Sequence, residues 1–377
     1  MPKQTGSSQW RTFGHPGAIR LLSKSIASGR IAHAYLVTGS RGVGKMSLAL
    51  DVARAVNCCP APDLFGEVPD PPCGVCQQCE RLARGLHADL RIITVGDQDQ
   101  DGEDRGRTQI GIDQVRKSQA EAVLKPFEGK RRVFIVDGAE YMTSAASNCL
   151  LKTLEEPPDQ VVFILLATSL SLLPDTIVSR CQVIELRPVP SELLEPALIE
   201  RYKLSLEEAV VLARRAHGIP GLAIAMNSDQ TYADRRSQAL FRIVGVITGG
   251  LEARFRYARD LAAQFWRDRA AVYDELEQWS DWWRDVLLTY NGLSHATTNP
   301  EWAGVLESVA ESLGQDGLIQ AAGSVASTRK ALTANASPRL ALEVFVLDMP
   351  RASSSIMGLI SATDQISSTA AAGVKEV

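Results

Sequence analysis

Residues 39–45, Gly39-Ser-Arg-Gly42-Val-Gly44-Lys45, constrain this chain more than any other stretch. Glycines at this spacing let backbone N–H groups wrap a phosphate. The helix that follows adds positive potential at its N-terminus, and the lysine reaches the outer phosphates. The flanks agree with that reading: Ala34–Thr38 reads as a buried strand, and Ser47–Val56 carries helical apolar spacing. Short β-branched runs at Arg132–Val136 and Val161–Ala167 predict further strands, with a helix over Ala145–Leu154 stopped by Pro157-Pro158. Strands alternating with helices predict a parallel, doubly wound α/β sheet whose ligands sit at the carboxyl ends of its strands.

The α/β block is expected over residues 1–187, closing at Arg187-Pro-Val-Pro190. After it the pattern is helical throughout. A small unit spans 188–230, interrupted by Gly218-Ile-Pro-Gly221, and a longer all-α unit spans 231–350. Five of the six tryptophans fall in the latter (Trp266, Trp279, Trp282, Trp283, Trp302), where packing between helices is their expected role. The Ser- and Ala-rich segment 351–377 reads as a disordered tail. With 40 basic and 44 acidic residues the net charge is −4, which excludes holding nucleic acid by net charge alone. The longest apolar run, Val161–Ala167, is far shorter than the ~20 residues a membrane span needs. The polar N-terminus lacks a signal core, so a cytoplasmic protein is expected.

Seven cysteines in an unexported chain argue against a disulfide framework. Cys73-Gly-Val-Cys76-Gln-Gln-Cys79 supplies three thiolates, and Cys58 or Cys59 a fourth. Four thiolates at short spacing suit tetrahedral Zn²⁺ in a structural role, because no coordination position stays open. The nucleotide site itself departs from a hydrolysing one. Met46 stands where a serine or threonine hydroxyl would hold Mg²⁺, and a thioether is a poor ligand for a hard cation. Ser47 is one position, about 100°, further round the helix. Val133–Asp137 looks like the strand that presents a Mg²⁺-binding aspartate, Asp137. Gly138 then occupies the place of the glutamate that orients water, with Glu140 displaced by two positions. The Asp97–Gly102 run resembles a calcium loop but lacks the glutamate at its twelfth position, Thr108, and reads as a solvated acidic loop.

Taken together these residues resemble bacterial clamp-loader subunits of the AAA+ class. The matching segments are Arg30–Gly39, the phosphate loop, the four-cysteine insertion over 58–79, Ile112–Arg116, Asn148–Pro158 and Ser179-Arg180-Cys181. The resemblance implies an AAA+ fold with a zinc-binding insertion, then a helical lid (188–230) and a helical collar (231–350). It assigns Arg180 as an arginine finger acting on ATP bound to a neighbouring subunit, places Thr168 or Ser169 at the γ-phosphate-sensing position, and selects Cys58 as the fourth zinc ligand. It also leads one to expect a lid arginine, which Gly218–Leu222 lacks. Missing hydroxyl, glutamate and lid arginine beside a retained finger resemble the non-hydrolysing stator of the loader. Gly39, Gly42, Gly44 and Lys45 keep donors for ATP or ADP, whereas the Mg²⁺ site is impaired. The implied partners are gamma or tau motor subunits and a delta subunit, with the sliding clamp and primed DNA met through the complex. An active motor ATPase using Ser47 and Glu140, or a zinc-bearing nucleotide sensor outside replication, are the alternative readings.

Overall fold

The computed structural model describes residues 9–62, 67–95, 109–334, 336–352 and 356. The acidic run at 97–102 and nearly all of the expected tail lie outside them. The chain divides into two compact units, residues 1–224 and 225–377.

In the first unit, α1 (Pro16–Ala27) leads into β1 (Ala34–Thr38), the glycine turn and α2 (Lys45–Asn57). The short α3 (Gln77–Ala83) precedes β2 (Leu90–Ile93), α4 (Ile112–Ala122) and β3 (Arg132–Asp137). Then come α5 (Ser144–Glu155), β4 (Val161–Ala167), the single turn α6 (Asp175–Val178) and β5 (Gln182–Glu185). The sheet is wholly parallel in the order β2-β3-β4-β1-β5. Its side chains alternate between two apolar layers, as strand geometry requires. Leu36, Phe134, Val136, Phe163 and Leu165 join Leu150 and Leu154 of α5 on one face. Tyr35, Val37, Ile135, Ile164 and Leu166 join Leu48 and Val52 of α2 on the other. The expected parallel, doubly wound core is therefore present, with two strands that the sequence pattern did not announce. Both, β2 and β5, are four-residue edge strands. Three helices follow: α7 (Ser191–Tyr202), α8 (Leu206–Arg215) and α9 (Pro220–Ser228). Up to residue 224 they share a small core of Val189, Leu194, Leu198, Ala209, Ala213, Ala216 and Ala223.

The second unit is helical: α10 (Gln230–Thr248), α11 (Leu251–Phe265), α12 (Arg269–Tyr290), α13 (Ala303–Thr333, kinked at Gly314) and α14 (Pro338–Asp348). Trp279, Trp282, Trp283 and Trp302 are buried in its core as expected, but Trp266 is 74% exposed, its ring perpendicular to that of Phe265. Arg254 is buried and donates to the carbonyls of Val246, Ile247, Val346, Met349 and Pro350. One cation thereby satisfies the carbonyl ends of α10 and α14. No helix among the described residues is long and apolar enough to cross a membrane.

Candidate nucleotide and metal sites

The carboxyl ends of β1, β3 and β4 bring the glycine loop, Asp137 and Thr168 to one side of the sheet. The loop carries its glycines at positive φ and is braced by His15, whose Nε2 lies 2.9 Å from the Val43 carbonyl. Lys45 is folded back on the loop, donating to the carbonyls of Gly39 (2.5 Å) and Ser40 (3.0 Å). Burial lowers its pKa, against the opposing pull of the Glu140 and Asp137 carboxylates. Met46 is half-buried against the apolar layer beneath the loop, while Ser47 is exposed.

Gly138 is held in a left-handed conformation, φ +80°, and a Cβ there would lie 2.7 Å from the Tyr141 ring. A glutamate cannot occupy this position without backbone strain and displacement of that ring. Glu140 reaches the site instead. One carboxylate oxygen accepts from the Thr168 N–H (3.1 Å) and hydroxyl (2.8 Å); the other is buried with no hydrogen-bond partner among the described residues. Ser169 turns away to the Ser171 amide and hydroxyl, so Thr168 is the residue that faces Glu140. Nothing in the local sequence joins these two, which are 28 positions apart.

A second contact escapes sequence reasoning altogether. The Gly221 N–H donates to the Gly42 carbonyl at 2.8 Å. A Cβ at Gly221 would lie 2.7 Å from that oxygen and 2.9 Å from the Gly42 Cα. The segment that lacks a lid arginine thus packs backbone to backbone on the phosphate loop, at a distance no larger residue permits.

Arg180 lies in the turn between α6 and β5, at the amino end of β5. The glycine loop leaves the carboxyl end of the neighbouring β1, beyond the paired rows Tyr35–Gln182 to Thr38–Glu185. At about 3.3 Å per residue those rows put roughly 10 Å of strand between Arg180 and this chain's own loop. The guanidinium is partly exposed, donates to the Thr176 carbonyl (3.0 Å) and meets Glu155 at 2.6 Å. With both partners solvent-exposed, that ion pair contributes about 0–1 kcal/mol and is readily exchanged.

Cys58 caps the C-terminus of α2 and Cys76 the N-terminus of α3. The sulfurs of Cys58, Cys73, Cys76 and Cys79 all lie within 4.8 Å of one another, with 4.0 Å between Cys58 and Cys76. Zn–S bonds of about 2.3 Å in a tetrahedron require sulfurs about 3.8 Å apart, so the set fits one ion. The Cys73 and Cys76 amides point at the sulfurs of Cys58 and Cys73, at 3.3 and 3.4 Å. Mutual hydrogen bonding pulls Cys79 down to about 5 and pushes Cys58 up. The exposed Cys59 thiol donates to the Asn57 carbonyl and stays outside the cluster, while the Cys59 backbone N–H bonds the Cys76 sulfur.

A family model described as DNA polymerase III, delta subunit, matches residues 14–190. The chain is 32% identical over 263 residues to DNA polymerase III subunit tau of Escherichia coli, spanning 67% of this chain and 38% of that one. It is 28% identical over 277 residues to subunit delta' of Bacillus subtilis, spanning 72% and 77% respectively. Among solved structures, a DNA polymerase III gamma subunit-related protein of Thermotoga maritima aligns with a TM-score of 0.40 and 18% identity, over 88% of this chain and 97% of that one. The chain belongs to the clamp-loader family of DNA polymerase III subunits. Within that family its relatives include delta', tau and gamma forms.

Proposed function

We propose that this chain is the delta-prime subunit of the DNA polymerase III clamp loader, a stator that lacks turnover of its own. The observation that carries the reading is Gly138, where a water-orienting glutamate would need a strained left-handed backbone and a displaced Tyr141 ring. Met46 in the apolar layer and Gly221 against Gly42 support it, since a Mg²⁺ hydroxyl and a lid arginine are missing from the same site. Arg180 serves a neighbouring gamma or tau subunit. Its planar fork of donors would stabilise charge developing on that subunit's γ-phosphate. The strand's length between Arg180 and this chain's own glycine loop supports action in trans.

In this reading residues 1–187 form the AAA+ module, 188–230 the lid and 231–350 a collar that holds motor and delta subunits together. The assembly acts in the cytoplasm, opening the sliding clamp and placing it on primed DNA. Zn²⁺ at Cys58, Cys73, Cys76 and Cys79 cross-links the insertion. Gly39, Gly42, Gly44 and Lys45, with Asp137 and Thr168 beside them, retain a cradle for ATP or ADP phosphates.

One observation favours a motor ATPase instead: Glu140 does reach Thr168 and the surroundings of Lys45. ATP hydrolysis by the isolated chain separates the two. The stator turns over no faster than a Lys45→Ala control, whereas robust turnover that disappears in that variant makes the chain a motor.

A further inference from the structure

The four-cysteine module has almost no core besides its own ligands. Cys58, Cys73 and Cys79, with Cys76 against them, form its apolar cluster, and α3 buries only Cys79 and Leu82. A seven-residue helix is far below the ~12–15 residues at which isolated helices become marginally stable. An ion bound by the four sulfurs would therefore be what holds the module folded.

The same module grips one loop, residues 123–131, between α4 and β3. Gln78, between two of the ligands, donates to the Glu128 carbonyl at 2.9 Å. Arg81 meets the Glu128 carboxylate at 2.6 Å. Lys130 reaches back to the carbonyl of Cys58, itself a ligand, at 2.5 Å, and the Arg131 amide donates to Asn57 at 2.8 Å. From the other side Asp89 accepts the amides of Phe127, Glu128 and Gly129 at 2.7–2.8 Å. The loop so held presents Val123, Leu124 and Phe127 at 76%, 59% and 82% exposure. Apolar side chains that exposed contribute little burial to holding their own loop in place.

We propose that the four-cysteine module is a metal-set brace: ion binding fixes α3 and the Cys58 carbonyl, and these fix the position of the 123–131 loop. The inference rests on the zinc assignment and is independent of the stator reading. The test is amide hydrogen exchange on the full chain, zinc-loaded and after chelation, with zinc measured by elemental analysis. Chelation should speed exchange of the 127–131 amides on the order of tenfold while the β3 and β4 amides keep their protection. A Gln78→Ala/Lys130→Met double variant, which retains every cysteine, should keep its zinc yet show the same loosening of the loop. If chelation unfolds the sheet as well, the double variant decides alone. Loop exchange that is unchanged in the zinc-bound double variant overturns the brace. A purified chain without zinc overturns both the brace and the metal assignment.

Discussion

At position 138 the left-handed backbone and the Tyr141 ring both oppose a glutamate side chain. Gly138→Glu should therefore restore no ATPase activity, and the strain of a non-glycine residue at φ +80° against Tyr141 should cost about 1–3 kcal/mol, read by chemical denaturation. The Asp89 carboxylate gives a pH-dependent prediction. Burial alone would raise its pKa, but three backbone N–H groups and Arg132 outweigh burial and hold it below the ordinary aspartate value. A depressed folded pKa means that its stabilisation is fully present above the unfolded value, about 4, and is lost as pH falls through the lower folded value. Asp89→Asn should loosen the loop already at pH 7, by about 1–3 kcal/mol, because an amide nitrogen faces an N–H donor, and should abolish the acid-dependent loss. Amide exchange of residues 127–129 against pH checks both statements. At this scale Cys73, Cys76 and Cys79 of the cluster were legible because their spacing is local, whereas spacing alone left Cys58 and Cys59 open and the family resemblance chose between them. The Glu140–Thr168 and Gly42–Gly221 contacts were not legible, since each joins distant segments through the fold.

The elements show the same division. Strands β1, β3 and β4 are central and buried on both faces, so their apolar runs announced them. The edge strands β2 (Leu-Arg-Ile-Ile) and β5 (Gln-Val-Ile-Glu) are only four residues long, and no periodicity can mark so short a run. Trp266 failed as a core residue for a related reason: it follows the last residue of α11, past the point where helical spacing predicts a face. The junction of α2 with the insertion carries a direct prediction. Cys59→Ser should retain one zinc per chain by elemental analysis, whereas Cys58→Ser should lose it, since only the Cys58 sulfur joins the cluster. Full occupancy in the Cys58 variant would contradict the ligand set.

Over the whole molecule, the two units have separate cores and separate vulnerabilities. Arg254→Ala strips a buried cation from five carbonyls in the helical unit and should lower its stability by about 3 kcal/mol or more, seen as an earlier denaturation transition of the full chain. The α/β unit, by contrast, keeps its glycine loop in shape with Met46 and Gly138 at the site, while Arg180 lies at the amino end of β5, roughly 10 Å of strand away. The proposed stator role rests on that combination and concerns a neighbour's active site more than this chain's own. The most direct measurement is DNA-stimulated ATP hydrolysis by a reconstituted loader carrying Arg180→Ala in this chain. Removing an arginine finger costs a factor of about 10³ to 10⁵ at the site it serves. The whole complex should show a smaller fall, because its other sites keep their own fingers, with folding and assembly unchanged and lysine rescuing poorly. If Arg180 only pairs with Glu155, the complex will hydrolyse ATP and load clamps at the wild-type rate, and the trans-acting role is contradicted.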